Sequence, residues 1–284
     1  MTTPPADRPT ASRPADWKNY DDFAAGIATN RLPSTESLAG RTLRLVFADH
    51  TLVLRPRAGH ELLWQEEAGD RREAGVSPRP AVAEGRGWYD AVEAAPGTFF
   101  IDLTQAGRPD QALTVVLNTR TLRVLAVRCR IQSPEEAGAN PRVAQTFHAG
   151  TLAEDGRAPS GPVPHETREL IGLRTWQDYS PAHLYEHTYL NSQRYAWQCL
   201  VGVQRGQGDV DLASYWKFDE QQYVFTFREF RIPVASVFFF DFAAGRSTGK
   251  FLGLTGAGAI DNQPAGAFMR KASLTPYLPG QEPA

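Results

Sequence analysis

Pro96-Gly97-Thr98-Phe99-Phe100-Ile101-Asp102-Leu103 is answered later in the chain by Ile232-Pro233 and Val237-Phe238-Phe239-Phe240-Asp241-Phe242. Each is an aromatic and apolar run that follows a Pro-marked turn and reaches an Asp. The surroundings match as well. Tyr89-Asp90-Ala91-Val92 and the strand-like Leu113-Thr114-Val115-Val116-Leu117 flank the first run; Tyr223-Val224-Phe225 and Gly249-Lys250-Phe251-Leu252-Gly253 flank the second. A β-rich unit written twice predicts two similar β units in space. Small closed β architectures suit the holding of a small molecule better than filament formation or DNA reading.

Composition agrees. A length of 284 residues suffices for one large domain or two of ordinary size, and 42% hydrophobic with 11% aromatic content can fill a real core. A net charge of −2 argues against nucleic acid as a partner. No apolar run is long enough to span a membrane, and the N-terminus lacks a basic segment leading into an apolar one. Cys129 and Cys199 sit in strand-like segments and read as two buried thiols rather than a disulfide framework. A cytoplasmic location is the expectation that follows.

Outward from the repeated runs, the chain divides into a disordered tail (1–15), an N-terminal β-barrel with a leading helix (16–152), a linker (153–174), a C-terminal β-barrel (175–275) and a short tail (276–284). The helix is predicted from Trp17, Tyr20, Phe23, Ala24 and Ile27 at helical spacing behind Asp16. After Pro33 the period becomes two: Leu43, Leu45 and Phe47 alternate with Thr42, Arg44 and Val46. Residues 66–86 read as a long loop, and 153–165, with three Pro and two Gly, as the clearest connector. Strand candidates near 183–190, 194–203, 212–218, 222–230, 235–242 and 248–254 have the short, even spacing of a sandwich or barrel.

Familiar catalytic signatures are missing. The sequence holds no phosphate loop, no dinucleotide fingerprint and no Gly-x-Ser-x-Gly elbow. His183 and His187 would grip one ion on a helix, but their segment alternates as a strand, where four residues span roughly 13 Å. No catalytic metal and no cofactor are expected. The alternation points instead to an enclosed ligand site. Tyr185, His187 and Tyr189 share one face of their strand with His183; Tyr195 and Trp197 share a face of the next; Tyr223, Phe225 and Phe227 share one with Glu229. Asp241 shares a face with Val237 and Phe239. Aromatics exclude water and stack on a ligand, while an ionisable group orients it or moves a proton. Burial would raise the pKa of Glu229 and ready it for that task. The competing reading has Glu229 paired with Arg228, Arg231 or Arg246 at a barrel rim, and the Tyr and His residues as satisfied core. The inward faces of the first half are mostly hydrocarbon and read as support or as a dimerisation surface, a homodimer being one expected assembly.

Tyr185-Glu186-His187-Thr188-Tyr189, Trp197-Gln198-Cys199-Leu200, Tyr223 to Glu229, Ile232-Pro233 and Asp241-Phe242 through Arg246-Ser247 to Gly249-Lys250 resemble the MoaF family. The first half is similar through Leu38-Ala39-Gly40, Leu62-Leu63-Trp64, Tyr89-Asp90 and Pro96 to Asp102. The resemblance implies a lipocalin-like, calycin-type fold with a ligand-sized interior in each half. It carries over no catalytic residues, and nothing here resembles a pterin or molybdate site. Related lipocalin-like proteins include cofactor-free decarboxylases and cyclases, which is analogy at the level of the fold. The expected function is a cofactor-independent lyase, isomerase or cyclase acting on a small aromatic or polyketide-like metabolite, in specialised metabolism or in aromatic and amine catabolism. Glu229 or His187 would move a proton, and Arg246 or a Tyr hydroxyl would steady negative charge. Tyr185, Tyr189, Tyr195, Trp197, Tyr223, Phe225, Phe227 and Asp241 would hold the substrate. The alternative is a carrier protein that binds such a ligand without turning it over.

Overall fold

The computed structural model describes residues 14, 16–68 and 82–284. The expected tail over 1–15 lies outside the described residues except for Pro14. So does the middle of the expected 66–86 loop, whose two ends are strand.

Eight antiparallel strands close the first barrel in chain order: β1 (Leu43–Phe47), β2 (His50–Pro56), β3 (Glu61–Ala68), β4 (Val82–Ala95), β5 (Thr98–Gln105), β6 (Gln111–Asn118), β7 (Arg123–Ile131) and β8 (Val143–Ala153), with β8 returning to β1. The period-two residues Leu43, Leu45 and Phe47 fill its interior together with Leu103, Leu113, Val115 and Leu117. The second barrel runs through β10 (Leu173–Ser180), β11 (His183–Asn191), β12 (Arg194–Val201), β13 (Gly208–Asp219), β14 (Gln222–Arg228), β15 (Val234–Asp241), β16 (Arg246–Leu254) and β17 (Ile260–Leu274), with β17 back on β10. It is closed by the β12–β13 pairing; β13 outlasts β12 and takes the short β9 (His165–Glu166) beside its far half. The fold is therefore mainly β, two closed antiparallel barrels, as the sequence predicts. Among the described residues no helix is long and apolar enough to cross a membrane.

Two strands of the second barrel escape the sequence reading. In β10, Leu173, Thr175, Gln177 and Tyr179 alternate inward, but two are polar and the apolar pattern is weak. In β17, Pro264 argues against a strand. Pro264 pairs only with β16, because β10 joins β17 from Phe268 onward, so the missing N–H faces an unpaired edge. The expected 153–174 linker accordingly holds the last residue of β8, all of β9 and the first two residues of β10.

The two aromatic runs, over 96–103 and 237–242, lie largely in the strands that join the barrels. Every residue of β15 is buried: Phe238 and Phe240 point into the second barrel, while Ala235, Val237 and Phe239 point out into a core shared with the first. In β5, Phe99, Ile101 and Leu103 point inward and Phe100 outward into the same shared core. Burial on both faces makes a strand read as a continuous apolar run. Gly249 of β16 allows the tight fit on the inner side, since a Cβ there would lie 2.3 Å from the Phe238 ring. The two copies do not hold the same place, β5 being fifth in its barrel and β15 sixth in its own. Their Asp residues also differ. Asp102 forms a buried ion pair with Lys250 across the interface and accepts from Asn262 Nδ2 at 2.6 Å. Asp241 caps a turn by accepting from the Ala244 N–H at 2.9 Å. The outward residues Phe100, Val116, Leu125 and Val127 of the first barrel pack in a core shared with the second.

The leading helix departs from its expected place. Assigned by sequence to the first barrel, α1 (Tyr20–Ala24) lies on the second: Trp17, Tyr20, Phe23 and Ile27 belong to that barrel's core. Asn30 N–H donates to Tyr179 O at 3.0 Å and Gly266 N–H to Ile27 O at 3.1 Å. Only then does the chain cross to the first barrel, through the Arg31–Asp90 ion pair and Leu38. Helical spacing shows which face is apolar and not which surface receives it.

Lys250 is 1% exposed, so removing it strands the Asp102 carboxylate. Lys250→Met is expected to cost about 3–5 kcal/mol in urea unfolding, and adding Asp102→Leu should recover most of the loss. A single mutant with wild-type stability would show that the pair is not holding the barrels together.

Candidate functional site

The interior of the second barrel holds a small, partly open cavity of about 30 Å³. Its lining is Tyr185 and His187 from β11, Tyr195 and Trp197 from β12, Phe227 and the adjoining Glu229 from the end of β14, Tyr179 from β10, Phe251 from β16, Gln204 from the turn after β12, and Phe23 and Ile27 from the N-terminal segment. Strand alternation explains the convergence. Inward positions of β11, β12 and β14 carry the aromatics, and pairing sets His187 opposite Trp197 and Tyr185 opposite Cys199. The outward residues have other work: Glu186 accepts from Arg174 Nε at 2.6 Å, Trp176 Nε1 at 3.0 Å and Gln198 Nε2 at 2.9 Å.

Glu229 is buried, and desolvation, followed by the nearby Asp211 and Asp209 carboxylates, pushes its pKa well above the ordinary carboxylate range. None of the arginines proposed as partners compensates. Arg231 pairs with Asp209, Arg246 donates to the Asn30 carbonyl at 2.5 Å, and Arg228 alternates to the outer face. His187 is also buried, and desolvation lowers its pKa to about 3, so its imidazole is neutral at physiological pH. Among the described residues its Nδ1 has no hydrogen-bond partner. Rings hold it on several sides, with Tyr195 at 5.3 Å and Phe225 at 5.8 Å between centroids. Asp211, a residue the sequence reading did not single out, accepts from Trp197 Nε1 at 2.9 Å and from the Phe230 N–H at 3.0 Å; burial lifts its pKa to about 6. Tyr185 donates to Gln204 Oε1 at 2.8 Å.

Six of the expected site residues thus meet: Tyr185, His187, Tyr195, Trp197, Phe227 and Glu229. The remainder lie elsewhere. Phe225 and Tyr189 sit deeper in the packed core, with Tyr189 Oη 3.1 Å from Thr175 Oγ1. Tyr223 donates to Glu169 Oε2 at 2.6 Å, outside the cavity lining. Asp241 is the turn cap described above. Arg246, expected to steady negative charge, stands on the outer face of β16 with its guanidinium 4.1 Å above the Phe268 ring. The reason is register: β16 turns Ser247, Gly249 and Phe251 inward, so Arg246, like Lys250, turns outward. Sequence reasoning missed Tyr179, Gln204, Phe23, Ile27 and Phe251 in this lining. For Tyr179 the period-two pattern of Leu173–Tyr179 was an available signal.

The N-terminal segment supplies part of the wall. Phe23 and Ile27 line the cavity directly, and Trp17 meets Trp197 edge-on at 5.8 Å. A cavity of about 30 Å³ has room for a water or two, whereas a benzene-sized guest needs about 150 Å³. A five-residue helix is not stable in isolation, so α1 is held there by its side chains.

Comparison with known proteins matches residues 15–133 to the MoaF N-terminal domain and residues 164–275 to the MoaF C-terminal domain. The chain is 34% identical over 221 residues to protein MoaF of Klebsiella aerogenes, covering 71% of this chain and 84% of that protein. Among solved structures, a provisional β-lactamase from Burkholderia vietnamiensis aligns over 38% of this chain and 100% of its own, with 16% identity and a TM-score of 0.33.

A carboxyl kept neutral by burial leaves a signature in stability. Unfolded, Glu229 ionises near its ordinary value of 4.5; folded, it holds its proton to higher pH. Its favourable contribution is complete below that ordinary value and is lost as pH rises toward the folded pKa, by about 1.4 kcal/mol per pH unit. Glu229→Gln carries no such loss. Urea midpoints should favour the variant increasingly as pH rises from 5 to 8, and a pH-independent difference would mean that Glu229 titrates as in water.

Proposed function

Because this chain belongs to the MoaF family, we propose that its second barrel binds a small aromatic molecule and moves a proton on it, as a cofactor-independent lyase, isomerase or cyclase. One observation carries the reading: a buried carboxyl with a strongly raised pKa and a neutral, unpartnered imidazole face the same aromatic cavity. Perturbed groups gathered in one enclosure are what general acid–base work needs.

The roles follow from the chemistry of each group. Glu229 is protonated in the closed state and can donate; once it has done so, its carboxylate is the matching base. His187 stays neutral and can accept or relay a proton through its free Nδ1. Tyr195, Tyr185 and Tyr179 have hydroxyls with pKa values raised by burial, so they donate hydrogen bonds without ionising. They take over the charge-steadying role first assigned to Arg246. Trp197 and Phe227 supply the faces on which a ring stacks. The lining contains no cationic side chain. That favours a neutral or amine-bearing aromatic ligand over a carboxylate or phosphate ester.

Cavity size adds a requirement. A ring-sized substrate fits only when Phe23 and Ile27 withdraw, so the N-terminal segment acts as a stopper that opens for binding. Phe23→Ala together with Ile27→Ala should raise the affinity for a neutral fluorescent reporter such as N-phenyl-1-naphthylamine by about tenfold or more; unchanged binding would mean that ligands do not use this mouth. The aromatic lining also supports the carrier reading, and turnover separates the two. With aromatic ketones and amines in deuterated water, the enzyme is expected to exchange substrate protons for deuterium, followed by NMR. Glu229→Gln should lower that rate by about 10²–10⁴-fold while leaving binding within a few-fold. Binding without exchange in the wild type would identify a carrier, and exchange unaffected by the substitution would remove Glu229 from the mechanism.

A further inference from the structure

The first barrel, hydrocarbon through most of its interior, carries one polar constellation at the end where β1 turns into β2. His50 Nδ1 lies 2.7 Å from Asp49 Oδ1, and His148 Nδ1 lies 3.6 Å from the same oxygen. The ligating atoms of Asp49, His50 and His148 all fall within 4.8 Å of one another. We propose that Asp49, His50 and His148 form a binding site for a divalent transition-metal ion, independent of the cavity in the second barrel.

The geometry fits such an ion. Zinc takes imidazole nitrogen at about 2.0–2.1 Å and carboxylate oxygen at about 2.0–2.2 Å, which sets its ligand atoms roughly 3–3.5 Å apart. The observed separations straddle that range, and the exposed Asp49 carboxylate is the ligand with room to adjust. Two imidazoles and a carboxylate suit zinc, nickel, cobalt or copper, and not calcium or magnesium, which take oxygen ligands.

The imidazoles are held in place before any ion arrives. His50 is 5% exposed and stacks on Phe47 at 4.8 Å between centroids. His148 stands at 90° to His50 with 4.8 Å between centroids, and meets Phe47 edge-on at 5.9 Å. Gly150, two residues along β8 from His148, makes the crowding possible: a Cβ there would lie 2.7 Å from Phe47 Cδ1 and 2.2 Å from the Val46 carbonyl. Little side-chain freedom remains to be lost on binding. Arg128, a neighbouring cation, is paired with Glu66 at 3.2 Å. Asp49 is 57% exposed, so the remaining coordination positions open to water. Three protein ligands with an open position is the count found where a metal handles substrate rather than braces a fold.

The test uses the full chain without an affinity tag, treated with a chelator and titrated calorimetrically with zinc chloride, with cobalt chloride as a spectroscopic probe. One zinc per chain at micromolar affinity or better is expected, with a rise in Tm and visible cobalt bands of an N/O-coordinated ion. His148→Ala, at the half-buried position, should weaken zinc binding by tenfold or more with an unchanged far-ultraviolet spectrum. Asp49→Asn should weaken it in the same direction, which guards against a fold defect in either variant alone. Absence of saturable zinc binding, or binding that both substitutions leave intact, would overturn the proposal and leave the cluster as a hydrogen-bonded Asp–His pair. Because neither Glu229 nor His187 is involved, these outcomes are independent of the function proposed for the second barrel.

Discussion

The contact between the barrels is the constraint on which the rest depends. Strands β5 and β15 are buried on both faces, one face toward their own barrel and the other toward the shared core of Phe100, Val116, Val237 and Phe239. A buried ion pair sits at its edge. Lys250 and Asp102 could be replaced by hydrocarbon at little cost in principle, since desolvation offsets most of their attraction. What such a pair supplies is register, because neither charge can be buried against anything except the other. The apolar part of the contact sets how strongly the barrels hold, and the charged part sets where.

That fixed relation matters for the N-terminal segment, which bridges the two bodies. Its first part fills the mouth of the second barrel; its later part is tied to the first by Arg31 and Leu38. Phe23 and Ile27 are therefore tethered at a set distance from the first barrel. Burial is also what shifts the titrating groups of the cavity. Glu229 and His187 owe their shifted pKa values chiefly to exclusion of water, and Phe23 and Ile27 are part of the wall that excludes it. Opening the mouth to admit a ligand would readmit water until the ligand itself replaced the missing wall.

Much of the architecture is legible in the chain because barrel strands obey a period of two. Leu43/Leu45/Phe47 and Tyr185/His187/Tyr189 announce their inward faces without any knowledge of their neighbours. Where inward residues are polar, as Thr175 and Gln177 are, the pattern fades and β10 goes unread. Where a Pro occupies an edge register, as Pro264 does, a strand looks like a loop. The repeated aromatic run was legible for a reason different from the one first inferred. It marks strands buried on both sides at one interface rather than one position occupied twice.

The candidate site divides along the same line. Alternation by itself determined that Tyr185, His187, Tyr195, Trp197, Phe227 and Glu229 face inward, because side-chain direction in a strand is a local property of the backbone. It could not determine depth, which left Tyr223 grouped with them, nor which of a strand's two faces turns inward, which left Asp241 and Arg246 in the same group. How far along the barrel axis a residue sits depends on the shear between strands, and which face of β16 turns inward depends on its register with β15. Only the tertiary structure decided that the helix preceding the first barrel packs into the core of the second. It likewise decided that Asp49, His50 and His148 meet. Those contacts join residues far apart in sequence, and no local periodicity carries the free energy that brings them together.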